Sequence, residues 1–92
     1  MEWTQKVSLN KDVLMQDLGG EAVFLHCEQE EYFSLDQVGT RMLAVLQDAS
    51  SIQAAYEMLL EEYDVEPERL KQELLEFVEK LVEDGLVEVA DS

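Results

Sequence analysis

The sequence predicts an α+β fold, a three-stranded antiparallel β-meander followed by three α-helices. Three observations carry this expectation. Short apolar runs at Val13–Leu18, Glu21–Cys27 and Glu31–Leu35 are separated by glycine-rich or acidic turns. After Asp36 the apolar spacing changes to the three-and-four pattern of a helix face. All the strand patterns come before all the helical ones, so strands and helices segregate along the chain.

Composition bounds the rest. A chain of 92 residues is expected to form one domain, residues 1–92, with little core to spare. A hydrophobic fraction of 47% supports a folded core despite the charge. Acids outnumber bases 22 to 6, giving a formal charge of -16. That excess repels phosphate backbones and anionic lipid and favours neutral or basic partners. Cys27 is the single cysteine, which excludes an intramolecular disulfide. No apolar run approaches the roughly 20 residues of a membrane helix. The start, Met1-Glu2-Trp3-Thr4, lacks a basic region followed by an apolar one. The expected location is the cytoplasm.

Taken in order, Met1–Lys6 reads as a loose arm, with Trp3 as its one feature. Val7 and Leu9 alternate as in a strand whose pairing the sequence leaves open. Val13–Leu18 ends at Gly19-Gly20, a pair that permits a tight hairpin turn into Glu21–Cys27. Alternation puts Val23, Leu25 and Cys27 on one face and Ala22, Phe24 and His26 on the other. Glu28-Gln29-Glu30 turns the chain into a third strand, Glu31–Leu35, with Phe33 and Leu35 opposite Tyr32 and Ser34. A meander leaves the outer sides of its first and third strands unpaired.

Asp36 is placed to cap the first helix, whose face carries Val38, Met42, Val45 and Leu46. Ser50 and Gln53 have capping-box spacing for the second helix, with Ile52, Ala55, Tyr56, Leu59, Leu60 and Tyr63 on its apolar face. Pro67 suits the first position of the third helix, and Gly85 its end. That helix has two adjacent stripes: Leu70, Leu74, Phe77 and Leu81, then Leu75, Val78 and Val82. Together they make a face too wide for one neighbour. Periodicity alone slightly favours both stripes being core. Leu86–Val89 is either a terminal strand or an extended tail. The second and third helices are spaced as a helix-turn-helix-like pair.

Chemistry finds little support. His26 and Cys27 are neighbours on a strand and point to opposite faces, so they cannot share a metal or form a nucleophile–base pair. There is no second Cys or His, no EF-hand spacing, no nucleophile elbow and no phosphate loop. No metal, cofactor or catalytic residue is expected. Cys27 reads as a small buried hydrophobe and His26 as a surface or groove residue. A DNA-reading role for the third helix is disfavoured, because Arg69, Lys71 and Lys80 face six acids there: Glu68, Glu73, Glu76, Glu79, Glu83 and Asp84. An open strand edge beside a helix suits an extended peptide better.

The chain resembles the PqqD family, also known as RiPP precursor-peptide recognition elements. The resemblance rests on Gly20–Leu25, on Tyr32-Phe33-Ser34-Leu35-Asp36, and on Val38-Gly39-Thr40. It continues at Tyr63-Asp64-Val65, at Leu74, Phe77, Val78 and Leu81, and at Gly85-Leu86-Val87, so that it spans about Val7 to Val89. Asp36 stands where the family commonly has Asn, and Met42-Leu43 where it commonly has Ile-Trp.

The resemblance implies a winged helix-turn-helix-like fold and a non-catalytic role. The leader segment of a ribosomally made precursor would add as a strand to Glu31, Tyr32, Phe33 and Ser34. It would pack against some of Leu70, Glu73, Leu74, Phe77 and Val78 on the third helix. Phe33, Leu74 or Phe77 would border an apolar pocket, and Glu73 would meet a basic leader residue. The motifs are most similar to the stand-alone form of lasso-peptide systems. There the partner is a cysteine-protease leader peptidase. The competing expectation is a winged-helix regulator or a generic adaptor.

Overall fold

The computed structural model describes residues 2–91, so Met1 of the expected arm lies outside them. These residues form, in order, β1 (Lys6–Leu9), β2 (Val13–Leu18), β3 (Glu21–His26), β4 (Glu31–Leu35), α1 (Gln37–Asp48), α2 (Ile52–Glu62), α3 (Pro67–Glu83) and β5 (Val87–Ala90). The architecture is α+β. The expected meander is present as an antiparallel sheet in the order β2-β3-β4. Its register pairs Met15 with Phe24 and Phe24 with Phe33.

The β2–β3 turn uses Gly19 and Gly20, both at positive φ, and the Gly20 N–H donates to Asp17 Oδ1 at 2.8 Å. The β3–β4 turn closes with the Glu30 N–H donating to the His26 carbonyl at 2.8 Å. Glu30 stands at φ 55, in the left-handed region, without the freedom of glycine.

The face carrying Ala22, Phe24 and His26 turns inward, and these three are buried. This reverses the expectations for two residues. His26, expected at the surface, is only 4% exposed, and Cys27, expected inside, is exposed. The alternation itself holds. The strand ends at His26, and Cys27 opens the turn, its N–H donating to the Asp12 carbonyl at 2.9 Å.

The meander is not the whole β-structure. β1 pairs antiparallel with β5 in a second, two-stranded sheet, with Val7 opposite Val89 and Leu9 opposite Val87. Val7 and Val87 are buried in the common core. Leu86–Val89 is therefore mostly strand, and the unassigned Val7–Leu9 run finds its partner at the far end of the chain.

The arm before β1 also corrects the expectation that it is loose. The carbonyls of Gln5 and Trp3 accept from the N–H groups of Ile52 and Gln53, at 2.8 and 3.0 Å. These are donors that the first turn of α2 would otherwise leave unsatisfied. Trp3 packs on Tyr56 with ring centroids 5.3 Å apart, and Lys71 Nζ sits 5.2 Å from the Trp3 ring centre.

Each helix is bounded by residues that explain its limits. Asp36 caps α1, accepting from the Gly39 N–H at 2.8 Å. At the other end Lys6 Nζ donates to the carbonyls of Gln47 and Ala49, at 2.6 and 2.7 Å, a cation at the negative end of the helix dipole. The cap of α2 is Ser51, one residue later than the spacing suggested, and its Oγ accepts from the Ala54 N–H. Pro67 opens α3 as expected. Gly85, at φ 77, ends it.

Arg41 on α1 and Glu62 at the end of α2 form a forked ion pair. Hydrogen bonding and charge from Arg41 hold the Glu62 carboxyl below its ordinary range. A depressed carboxyl stabilises the fold at neutral pH, and that contribution is lost as pH falls through the folded-state value. Both groups are solvated, so the effect is small.

Two backbone positions generate opposite expectations. Replacing Glu30 with Gly should raise stability by about 1 kcal/mol, because it removes a left-handed side-chain clash. Gly85→Ala should lower it by about 2 kcal/mol, since its Cβ would add strain at φ 77 and lie 3.2 Å from His26 Nε2. Urea denaturation of the two variants checks both signs.

Candidate functional site

The outer edge of β4 is unpaired among the described residues. Which of its groups point outward follows from one side chain. Thr40 Oγ1 accepts from the Ala22 N–H at 2.9 Å and donates to the Leu35 carbonyl at 3.3 Å. It bridges the last β3–β4 pair, so Ala22 and Leu35 face each other across the ladder. Bonding direction alternates along an antiparallel strand. Phe33 and Glu31 therefore also bond back toward β3. The N–H and C=O groups of Tyr32 and Ser34 are the ones presented to the open side.

Beside this edge runs a cleft between β4 and α3. One part, of about 260 Å³, is lined by Phe33, Ser34 and Leu35 from the strand and by Phe77, Lys80 and Leu81 from the helix, with Asp84 and Leu86 at its end. A second part, of about 380 Å³, continues past Ser34, Leu35 and Phe77 to Glu73 on one side and to Val38 and Met42 of α1 on the other. Phe77 borders both parts. The floor is apolar, and the charges at the rim are partly paired: Lys80 lies 3.8 Å from Asp84, and Arg69 lies 3.1 Å from Glu73.

The structure brings together some of the sequence-derived residues and sets others apart. Phe33, Ser34, Glu73 and Phe77 all line the cleft. Glu31 begins β4 opposite His26 and is exposed. Tyr32 lies on the outer face of the sheet and is 75% exposed. Leu70, Leu74 and Val78 are buried, at 6%, 0% and 0% exposure, and form the layer behind the cleft wall.

Lys80, Asp84 and Leu86 line the cleft without having been singled out for it. They sit one helical turn beyond Phe77 or just past the helix, where Gly85 turns the chain back. Val38 and Met42 come from a helix assigned only to the core.

The outer face of the meander is also apolar. Leu14, Leu25 and Tyr32 are cross-strand neighbours in one row, with Leu14 63% exposed. Val23 lies in the adjacent row, and these residues border a shallow depression of about 370 Å³.

Among the described residues no group of three or more His, Cys, Asp or Glu could hold a metal ion, and no helix is long and apolar enough to cross a membrane.

The sequence profile of coenzyme PQQ synthesis protein D (PqqD) matches residues 21–87, from the start of β3 to the start of β5. The chain belongs to the PqqD family. The matched span contains β4, α3 and the cleft between them. Two solved structures share this PqqD-family fold, each with a TM-score of 0.81. One is TbiB1 in complex with the TbiA(beta) leader peptide, at 26% identity over 87% of this chain and 93% of that one. The other is lasso peptide synthetase B1 complexed with the leader peptide, at 22% identity over 90% and 98% of the respective chains. A search of curated proteins finds no match.

The two kinds of α3 residue should separate experimentally. Leu74→Ala empties a fully buried position and should cost about 3 kcal/mol of stability. Phe77→Ala acts at the half-buried cleft wall and should cost about 1 kcal/mol. Equal losses in chemical denaturation would contradict this assignment of wall and core.

Proposed function

We propose that this protein binds the leader segment of a ribosomally synthesised precursor peptide, without catalysis, and presents it to a processing enzyme in lasso-peptide biosynthesis. The leader adds as an extended strand to β4, pairing with the outward groups of Tyr32 and Ser34. Its side chains on the inner side enter the cleft beside Phe33 and Phe77. The observation that carries this reading is the open β4 edge lying against an apolar cleft in a PqqD-family fold. The leader-peptide complexes of the two structural relatives support it.

Main-chain pairing supplies attachment and the cleft supplies selectivity. Glu31 favours a leader with a basic residue at one end of the paired segment, and a second basic residue at Glu73 would displace Arg69 from its exposed ion pair. Leu70, Leu74 and Val78 act from behind, by holding the cleft wall in place. In this reading the α2–α3 pair and the meander correspond to a winged helix-turn-helix-like frame whose helix receives peptide rather than DNA. The acids of α3 accord with that role.

Presentation requires a second surface. The row of exposed Leu14 and Tyr32 with half-buried Leu25 between them suits the processing enzyme, a leader peptidase acting in the cytoplasm. This row is continuous with the strand that receives the leader, so enzyme and peptide would meet at one border.

Ser34→Pro tests the strand-addition step. Proline removes an N–H that points away from the β3 ladder, and an edge position tolerates this. Fluorescence anisotropy with a labelled leader peptide should show at least about tenfold weaker binding, with the fold retained by circular dichroism. Unchanged affinity in the folded variant would refute pairing at β4. Absence of binding by the unaltered protein to any precursor encoded beside it would refute the leader reading altogether.

A further inference from the structure

A second groove lies on the other flank of α3. It is bordered by Glu79, Val82 and Glu83 of the helix, by Val89 of β5 and by Gln5, and its volume is about 390 Å³. Successive residues turn by about 100° around a helix, so Glu79 points some 200° away from Phe77. The groove therefore opens away from the β4 cleft. Its floor is aliphatic: Val82 is 43% exposed, and Val89 is half-buried.

Its rim places an acidic pair beside that aliphatic floor, and the similarly spaced Glu57–Glu61 pair on α2 does not border this groove. Glu79 and Glu83 are four residues apart and flank Val82, and neither takes part in an ion pair among the described residues. Like charges at this spacing repel and weaken a helix. The nearby cations are engaged elsewhere: Lys80 is near Asp84, and Lys71 is over Trp3.

We propose that this groove docks a cationic segment of a second protein, one that places an aliphatic side chain on Val82 and Val89 between two Lys or Arg residues. Charge complementarity selects this occupant. Two basic groups relieve the Glu79–Glu83 repulsion, while the aliphatic side chain covers the exposed valines. A second copy of this chain does not fit the role, because a formal charge of -16 on each copy opposes their approach. The groove and the β4 cleft lie on opposite flanks of one helix, so both sites can be filled together. This site stands apart from the leader reading and does not depend on it.

The test is an NMR titration of the full isotope-labelled chain with the probe peptide acetyl-Lys-Val-Lys-Val-Lys-amide at low salt. Shifts should centre on Glu79, Val82, Glu83 and Val89. A Glu79→Gln/Glu83→Gln variant should bind about fivefold more weakly, as should Val82→Ser. The control Glu57→Gln/Glu61→Gln changes charge equally on the exposed side of α2 and should stay within about twofold.

Equal weakening by both double variants would overturn the proposal by reducing it to diffuse attraction. Shifts confined to β4 and Phe77, or no shifts, would overturn it as well. Leader affinity of each variant, measured separately by anisotropy, keeps the two sites distinguishable. It should not change with Glu79→Gln/Glu83→Gln.

Discussion

The hydroxyl of Thr40 is the joint on which the working part of this fold depends. One oxygen accepts from Ala22 on β3 and donates to Leu35 on β4, while its own residue sits in the first turn of α1. It therefore fixes three elements at once: the pairing of the last two strands, the exit of the chain from β4, and the start of the helix. Thr40 is 8% exposed, and water cannot readily replace it. Leaving the Ala22 N–H buried without a partner would cost about 1–3 kcal/mol. The bridge closes the last pair of the β3–β4 ladder, whose register sets which backbone groups of β4 face outward.

The cleft follows from two more constraints. Gly85 reverses the chain immediately after α3, which brings Leu86 into the core and sends β5 back toward β1. That reversal runs close beside the His26 ring, so the β3–β4 turn and the end of α3 are held against each other. The buried layer of Leu70, Leu74, Val78 and Leu81 then sets the depth of α3, leaving Phe77 at the wall. A wide apolar face on α3 is thus divided between core and cleft, rather than belonging to one or the other.

Much of this was legible in the sequence because it is local. The meander, the Asp36 cap, Pro67 and Gly85 all act through neighbouring residues, and period-two alternation separates Phe24 from Leu25 correctly. What escaped was non-local or absolute. The β1–β5 pairing joins Lys6 to Ala90, and no nearby pattern encodes a partner that distant. The hydrogen bonds from α2 to the carbonyls of Trp3 and Gln5 leave no trace in composition, so an ordered arm reads as a loose one.

Alternation also tells faces apart without saying which one is inside, and so His26 and Cys27 were exchanged. At the site, Phe33 and Phe77 could be picked from the motif. Lys80 lies one helical turn beyond Phe77 and was legible from that spacing, whereas Leu86 needed the three-dimensional return of the chain at Gly85.

The brevity of β4 sets a limit on how indiscriminate this protein can be. Only Tyr32 and Ser34 present outward groups, two N–H and two C=O. At roughly 1 kcal/mol for each net hydrogen bond, the edge offers about 4 kcal/mol, equivalent to a millimolar dissociation constant before any ordering cost. Any unfolded chain could make those bonds, and none would be retained by them for long. Under the proposed strand addition, the edge alone would therefore hold any extended chain only weakly. In that proposal, residence would come from side chains that fill the space around Phe77.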